Sequence, residues 1–327
     1  MYQVFIVVIL GFSACFLSLP PIMGFMRRRG IAGRDVHKKD RPIVPEMGGI
    51  TMLLGLAVST IAGIILLPGQ TELLISFFFT ALIAGVIGAI DDLRPLNAKV
   101  KPFLTTLACI PILVLGTYTP NIVFPLIGGT RLTIVYPFLV PIVMAVTSNA
   151  VNMMDPFNGV MSGTSMVIAL TLLVSAIIVR SADAVLLCGI LLGVLLPFFY
   201  FNRYPSRVFS GDVGSLSVGA ALGAIAIMGR LEVVAVVAFM PQIMNAFYGL
   251  STVGRLYERR EVARPVEVLD DGRLMARSDP EAPLTLARFV LARGPLRENK
   301  AALVFVTLSA ISGLLALITT YLIVVTT

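Results

Sequence analysis

The stretch Asn202-Arg203-Tyr204-Pro205-Ser206-Arg207-Val208-Phe209-Ser210-Gly211-Asp212 sets one carboxylate between two apolar runs, 185–201 and 213–228. Asp212 therefore falls where a lipid-buried helix meets water, with Arg203 and Arg207 upstream and Gly211 and Gly214 beside it. That setting suits a Mg2+ ion carrying phosphates, because Mg2+ takes oxygen ligands and is held through one or two carboxylates plus substrate phosphate and water. The same residue could instead cap a helix that starts at Val213.

Three further patches carry chemistry at comparable edges. Asp91-Asp92 end an apolar run and are followed by Arg94, Asn97, Lys99 and Lys101. Adjacent carboxylates repel unless a cation is near, so the pair could hold metal, accept a proton or pair with Lys101. Between Ser148 and Gly159 lie Asn149, Asn152, Asp155 and Asn158, with no Lys or Arg. Amides at a membrane edge must be hydrogen-bonded, and Asn149 and Asn152 share a helix face; amide oxygens can complement carboxylates around Mg2+. The third patch is the loop Gly33-Arg34-Asp35-Val36-His37-Lys38-Lys39-Asp40-Arg41-Pro42-Ile43-Val44-Pro45-Glu46-Met47-Gly48-Gly49. Lys38 and Lys39 could meet a phosphate, or only anchor the loop at the membrane; His37, the only histidine, reads as exposed surface.

The elements that must position these groups are spans. With 57% hydrophobic and 13% charged residues over 327 positions, the chain is too apolar for a soluble domain, and its mean hydropathy of +0.94 indicates a polytopic membrane protein. A span takes about 17–25 residues, which predicts ten: 3–25, 49–67, 73–90, 102–118, 134–151, 162–179, 185–200, 213–228, 232–250 and 301–324. All but Arg131, Arg180 and Arg230 of the 25 Lys and Arg fall in or beside loops after odd-numbered spans. The positive-inside rule makes those loops cytoplasmic and both termini external. Arg27, Arg28 and Arg29 follow the first apolar run rather than precede it, as in a retained span and unlike a signal peptide.

This geography accounts for the basic balance without nucleic acid, since cationic loops face anionic lipid at about 1 kcal/mol per basic residue. Of the acids, only Glu72, Asp183 and Glu232 fall on the other side, and none is predicted mid-span. Ion-coupled transporters place ionisable groups near the midplane, so a lipid or nucleotide-sugar transporter is disfavoured. Cys15, Cys109 and Cys188 lie in apolar runs with no CxxC spacing, which supports neither disulfides nor zinc. No Walker A, HExxH or GxSxG motif is present.

The chain is read as one integral membrane domain, 1–327, with a loop subdomain at 251–300 before the last span. In that loop, 266–269 and 274–276 flank Asp270-Asp271-Gly272-Arg273 as a β-hairpin, and 284–293 reads as an amphipathic interfacial helix. Arg259, Arg260 and Arg264 could clamp a diphosphate.

These stretches together resemble the polyprenyl-phosphate N-acetylhexosamine-1-phosphate transferases, and most of all their archaeal and eukaryotic branch, the UDP-GlcNAc–dolichyl-phosphate GlcNAc-1-phosphotransferases. Pro241-Gln242 and Gly294-Pro295-Leu296-Arg297-Glu298-Asn299 extend the match. The resemblance implies an all-α fold of about ten spans and transfer of GlcNAc-1-phosphate from UDP-GlcNAc to a polyprenyl (dolichyl) phosphate, with UMP released. It implies Mg2+, or Mn2+ in its place, on Asn152 and Asp212. Lys101 would contact phosphates, and Asp91 and Asp92 would activate or position the lipid phosphate. Lys38, Glu46, Asn149, Asn158, Arg207 and Arg264 would serve the substrates, Glu46 and Asn158 at the uridine. A plasma-membrane location with a cytoplasmic site follows by the same likeness; a homodimer is compatible with it. A sister transferase using another UDP-N-acetylhexosamine or undecaprenyl phosphate is the alternative. Two positions depart from the family pattern: Pro95 replaces an Asp or Asn, and Arg264-Pro265 is all that matches an Arg-His-Arg group.

Overall fold

The structure, a computed structural model, describes residues 2–254, 256, 262–279 and 281–326. Helix α1 (Tyr2–Arg28) leads into a small hairpin, β1 (Ala32–Arg34) and β2 (Ile43–Pro45), then α2 (Gly49–Leu66) and α3 (Thr71–Leu93). Next come the short helices α4 (Val100–Thr105) and α5 (Ile110–Val114), the hairpin β3 (Asn121–Phe124) and β4 (Gly128–Arg131), and α6 (Tyr136–Met153). The bundle continues through α7 (Val160–Ile178), α8 (Ala182–Asn202), α9 (Gly211–Met228), α10 (Glu232–Ala238) and α11 (Met240–Val253). A third hairpin, β5 (Val266–Val268) and β6 (Leu274–Ala276), precedes α12 (Leu286–Leu291) and α13 (Glu298–Thr326).

Among the described residues, eight helices are long and apolar enough to cross a membrane, so the all-α polytopic class is correct. Two of the ten expected spans take another form. The fourth, expected at 102–118, is two short helices joined by a 3-10 turn at Thr106–Cys109. The ninth is α10 and α11, bent by 64°. Pro111 and Pro241 stand at the starts of α5 and α11, where a ring in place of an N–H breaks the preceding ladder. The predicted hairpin at Asp271-Gly272 forms with the strands expected. The amphipathic helix is shorter than 284–293: it is α12, six residues long, and it buries Ala287 and Leu291 against Leu274 and Phe305. Sequence reading did not separate out β1–β2 or β3–β4 as hairpins.

At the centre stands α9, buried along nearly its whole length between α3 and α6. Its small residues allow this. A Cβ on Gly49 would lie 2.1 Å from Gly214 Cα, one on Gly88 2.3 Å from the Asp212 carbonyl oxygen, and one on Gly219 2.5 Å from the Thr147 carbonyl oxygen. Close backbone approach of this kind takes the place of the hydrophobic effect inside a bilayer. The ends of α3, α6 and α8 and the starts of α2, α7, α9 and α13 gather at one end of the bundle. The other end holds the β3–β4 hairpin, where the Leu126 amide donates to Thr326 Oγ1 at 3.3 Å.

Candidate active site

Asp91 and Asp92 occupy the last turn of α3, where the negative end of the helix dipole disfavours acids. Two neighbours offset this. The first amides of α9 face the pair: Asp212 N donates to Asp92 Oδ1 at 2.8 Å and Val213 N to Asp92 Oδ2 at 3.0 Å. Asp92 thus supplies the cap that α9 lacks from its own N-cap residue, since Ser210 makes no capping bond. This corrects the capping alternative for Asp212, because the helix starts at Gly211 and its cap comes from α3. Gly211 is required twice over, by its φ of +65° and because a Cβ there would stand 2.5 Å from Asp92 Oδ2.

Relieved of capping, the Asp212 carboxylate meets the Lys101 ammonium, which also reaches Asp91 Oδ2 at 2.9 Å. Lys101 rides on α4, placed beside α3 and α6 by the broken fourth span. The Leu96 amide fixes the other Asp91 oxygen at 2.5 Å. Asn152 donates from Nδ2 to Ser215 Oγ at 3.0 Å, one turn into α9. No bond to its carbonyl oxygen is seen among the described residues, so Asp212 and Asn152 could offer oxygen donors of the kind Mg2+ takes.

A second cluster lies at the same end. Lys38, in the loop between β1 and β2, contacts Asp35 and stands 3.9 Å from Glu298 Oε2 and 5.1 Å from the Tyr204 ring centroid. Asn158 donates from Nδ2 to Asp35 Oδ2 and from its backbone to Glu298 Oε1, both at 2.9 Å. Burial would push the Asp35 carboxyl up, but the Asn158 amide, the Lys38 ammonium and the His37 backbone amide hold it below the usual carboxylate range. His37 is half-buried with its ring 5.1 Å from Phe157, not the exposed residue expected. Glu46 lies over Gly33 of β1, where a Cβ would meet its carboxylate oxygen at 2.0 Å.

The remaining expected substrate residues have other neighbours. Asn149 ties α6 to α4, donating to Thr105 Oγ1 at 2.9 Å and to the Ala145 carbonyl at 2.8 Å. Arg207 lies against Tyr200 and Phe201, 5.0 and 4.8 Å from their centroids. Arg264 is exposed beside β5. Arg259 and Arg260 lie outside the described residues. Sequence reasoning missed Asp35, Glu298 and the Asp155–Ser210 bond of 2.9 Å that pins the start of α9 to the α6–α7 turn.

The sequence profile of glycosyl transferase family 4 matches residues 74–230, the segment that carries Asp91, Lys101, Asn152 and Asp212. Phospho-N-acetylmuramoyl-pentapeptide-transferases of Streptococcus uberis and Moorella thermoacetica are 31% identical over 249 residues and 32% over 235. Those matches cover 70% and 66% of this chain and 74% and 72% of the relatives. The chain belongs to glycosyl transferase family 4. A Sulfolobus acidocaldarius protein provisionally named a UDP-N-acetylglucosamine–dolichyl-phosphate N-acetylglucosaminephosphotransferase is 28% identical over 247 residues, 73% of this chain and 75% of its own length. The superfamily resemblance drawn from the motifs therefore stands, and the protein is an integral membrane transferase.

Proposed function

We propose that this family 4 enzyme transfers GlcNAc-1-phosphate from UDP-GlcNAc to a polyprenyl phosphate of the dolichyl type, releasing UMP at the cytoplasmic face of the plasma membrane. The carrying observation is the meeting of Asp91, Asp92, Lys101 and Asp212 where α3, α4 and α9 converge. An oxygen of the lipid phosphate attacks the β-phosphorus of the donor, and the bond from that phosphorus to the bridging oxygen breaks as UMP leaves. A phosphate monoester is already a competent nucleophile, so no enzyme-bound intermediate is invoked. Such chemistry asks chiefly for positioning and for charge around the phosphates.

Asp212 and Asn152 would hold Mg2+, which when bound shields the phosphate oxygens and so makes the phosphorus accessible. Lys101, released from the carboxylates, would carry positive charge to the diphosphate. Asp91 would orient Lys101. Asp92 acts through the start of α9 and is a positioning residue. The hairpin loop with Lys38 and the turn with Asn158 would bound the donor side, and the chain would work as one catalytic unit with the described part of the last loop, 262–279 and 281–300, folded against it. The excess of Arg and Lys at the site end supports a cytoplasmic orientation.

Purified protein with UDP-GlcNAc, Mg2+ and polyprenyl phosphate is expected to release UMP, and to release none when the lipid phosphate is omitted. UMP release without the acceptor, or none from UDP-GlcNAc while another UDP-sugar reacts, would overturn the assignment. Lys101→Met is a second test. Removing an ammonium that competes for Asp212 should lower the Mg2+ concentration needed for half-maximal rate, while turnover at saturating Mg2+ falls about 10²-fold for want of phosphate charge. An unchanged Mg2+ requirement would show that Lys101 and the ion do not share Asp212.

A further inference from the structure

Asp35, His37 and Glu298 come from two distant parts of the chain, yet a ring nitrogen of His37 and one oxygen from each carboxylate lie within 4.8 Å of one another. Two features set this group apart from a chance cluster of acids. Glu298 opens α13 with only 4% of its surface exposed, and its Oε2 has no hydrogen-bond partner among the described residues. A buried carboxylate oxygen without a donor is costly. Asn158 also already orients both carboxylates, through its amide to Asp35 and its backbone to Glu298, as an outer shell does around metal ligands.

Among the described residues, the cation paired with this cluster is Lys38. It contacts Asp35 and approaches Glu298 Oε2 only to 3.9 Å, beyond hydrogen-bonding reach. One ammonium therefore serves two carboxylates and satisfies one. An imidazole with two carboxylates is the donor set of Zn2+ and its neighbours among first-row metals, whereas Mg2+ takes oxygen alone. Ligand atoms around a tetrahedral zinc stand about 3.5 Å apart, so the three donor atoms would draw somewhat closer to hold one ion.

We infer that Asp35, His37 and Glu298 form a binding site for a divalent transition metal of the Zn2+ type, which displaces the Lys38 ammonium on binding. The site is separate from the Mg2+ position assigned to Asp212 and Asn152. It joins the β1–β2 loop to the start of α13, with Asn158 of the α6–α7 turn behind both carboxylates, and frees Lys38 toward the open side of the site. The fourth ligand would be water or a donor atom of substrate.

His37 is the only histidine in the chain, so protein with ¹⁵N-labelled histidine and no affinity tag reports on one imidazole. Titration with Zn2+ in the absence of nucleotide is expected to shift one ring-nitrogen signal and to saturate at one ion per chain by elemental analysis. His37→Ala and Glu298→Gln should each weaken Zn2+ binding at least 10-fold, with thermal unfolding checking that both remain folded. Asp212→Asn should bind as wild type, which keeps this result independent of the Mg2+ reading. Lys38→Met should bind Zn2+ more tightly. A histidine signal unmoved by Zn2+, or His37→Ala binding as wild type, would overturn the site; unaltered affinity in Lys38→Met would overturn the displacement.

Discussion

Asp212→Asn is expected to lower UMP release at saturating Mg2+ by about 10³-fold while the protein keeps its fold. The substitution preserves shape and removes one charge. What it leaves intact is the start of α9, whose first amides are bound by Asp92 and not by the residue changed. What it removes is the carboxylate that Lys101 contacts, which is also the one anionic ligand proposed for the ion beside the neutral Asn152. Lys101 would then rest on Asp91 alone, at the 2.9 Å it already holds. Turnover across a Mg2+ series, measured beside thermal unfolding, separates the two effects. Loss of less than tenfold with normal unfolding would remove Asp212 from the chemistry.

Gly88→Ala, at a residue that bears no functional group, is the other large effect. Its new methyl carbon would lie 2.3 Å from the Asp212 carbonyl oxygen, 2.4 Å from the carbonyl carbon and 2.5 Å from Val213 N. All three are backbone atoms of α9, so no side chain can swing aside and α3 must move off. The 2.8 and 3.0 Å bonds from α9 to Asp92 would stretch with it. Misplacement near 1 Å in a site built on positioning costs about 10²-fold in rate, and that loss is expected here together with a lowered melting temperature. Gly63→Ala is the control. Its methyl would meet only the tip of the Leu74 side chain at 2.5 Å, in a pair of helices away from the aspartates, and turnover should stay within a few-fold of wild type. Equal losses in both variants would mean general destabilisation and not a displaced α9.

Much of the site was legible in the sequence because a membrane simplifies the reading. Apolar runs fix where helices end, and acids or amides at those ends stand out, as Asp91-Asp92, Asn152 and Asp212 do. Their convergence follows from helices that alternate direction. The partner each residue takes was not legible. Asp92 looks like half of a metal-binding dyad until α9 is seen resting on it, and Arg207, in the most distinctive motif, lies against Tyr200 and Phe201. Glu298 and Asp35 are single acids in charged loops, with no periodicity to mark them; only the fold brings them to Asn158. The breaks at Pro111 and Pro241 could have been read from the prolines. Hydropathy outweighed them, since both segments remain apolar throughout.

Asn245, on α11 beyond the 64° bend, is 5% exposed, donating from Nδ2 to the Met153 carbonyl at 2.8 Å and accepting at Oδ1 from the Leu286 amide at 3.0 Å. One amide side chain thereby rivets the last turn of α6, which carries Asn152, to the first residue of α12 in the outlying loop. Any tilt of that loop must either drag the turn that carries Asn152 along or snap this rivet. Under the Mg2+ placement proposed above, loop closure and ion placement then become a single mechanical event.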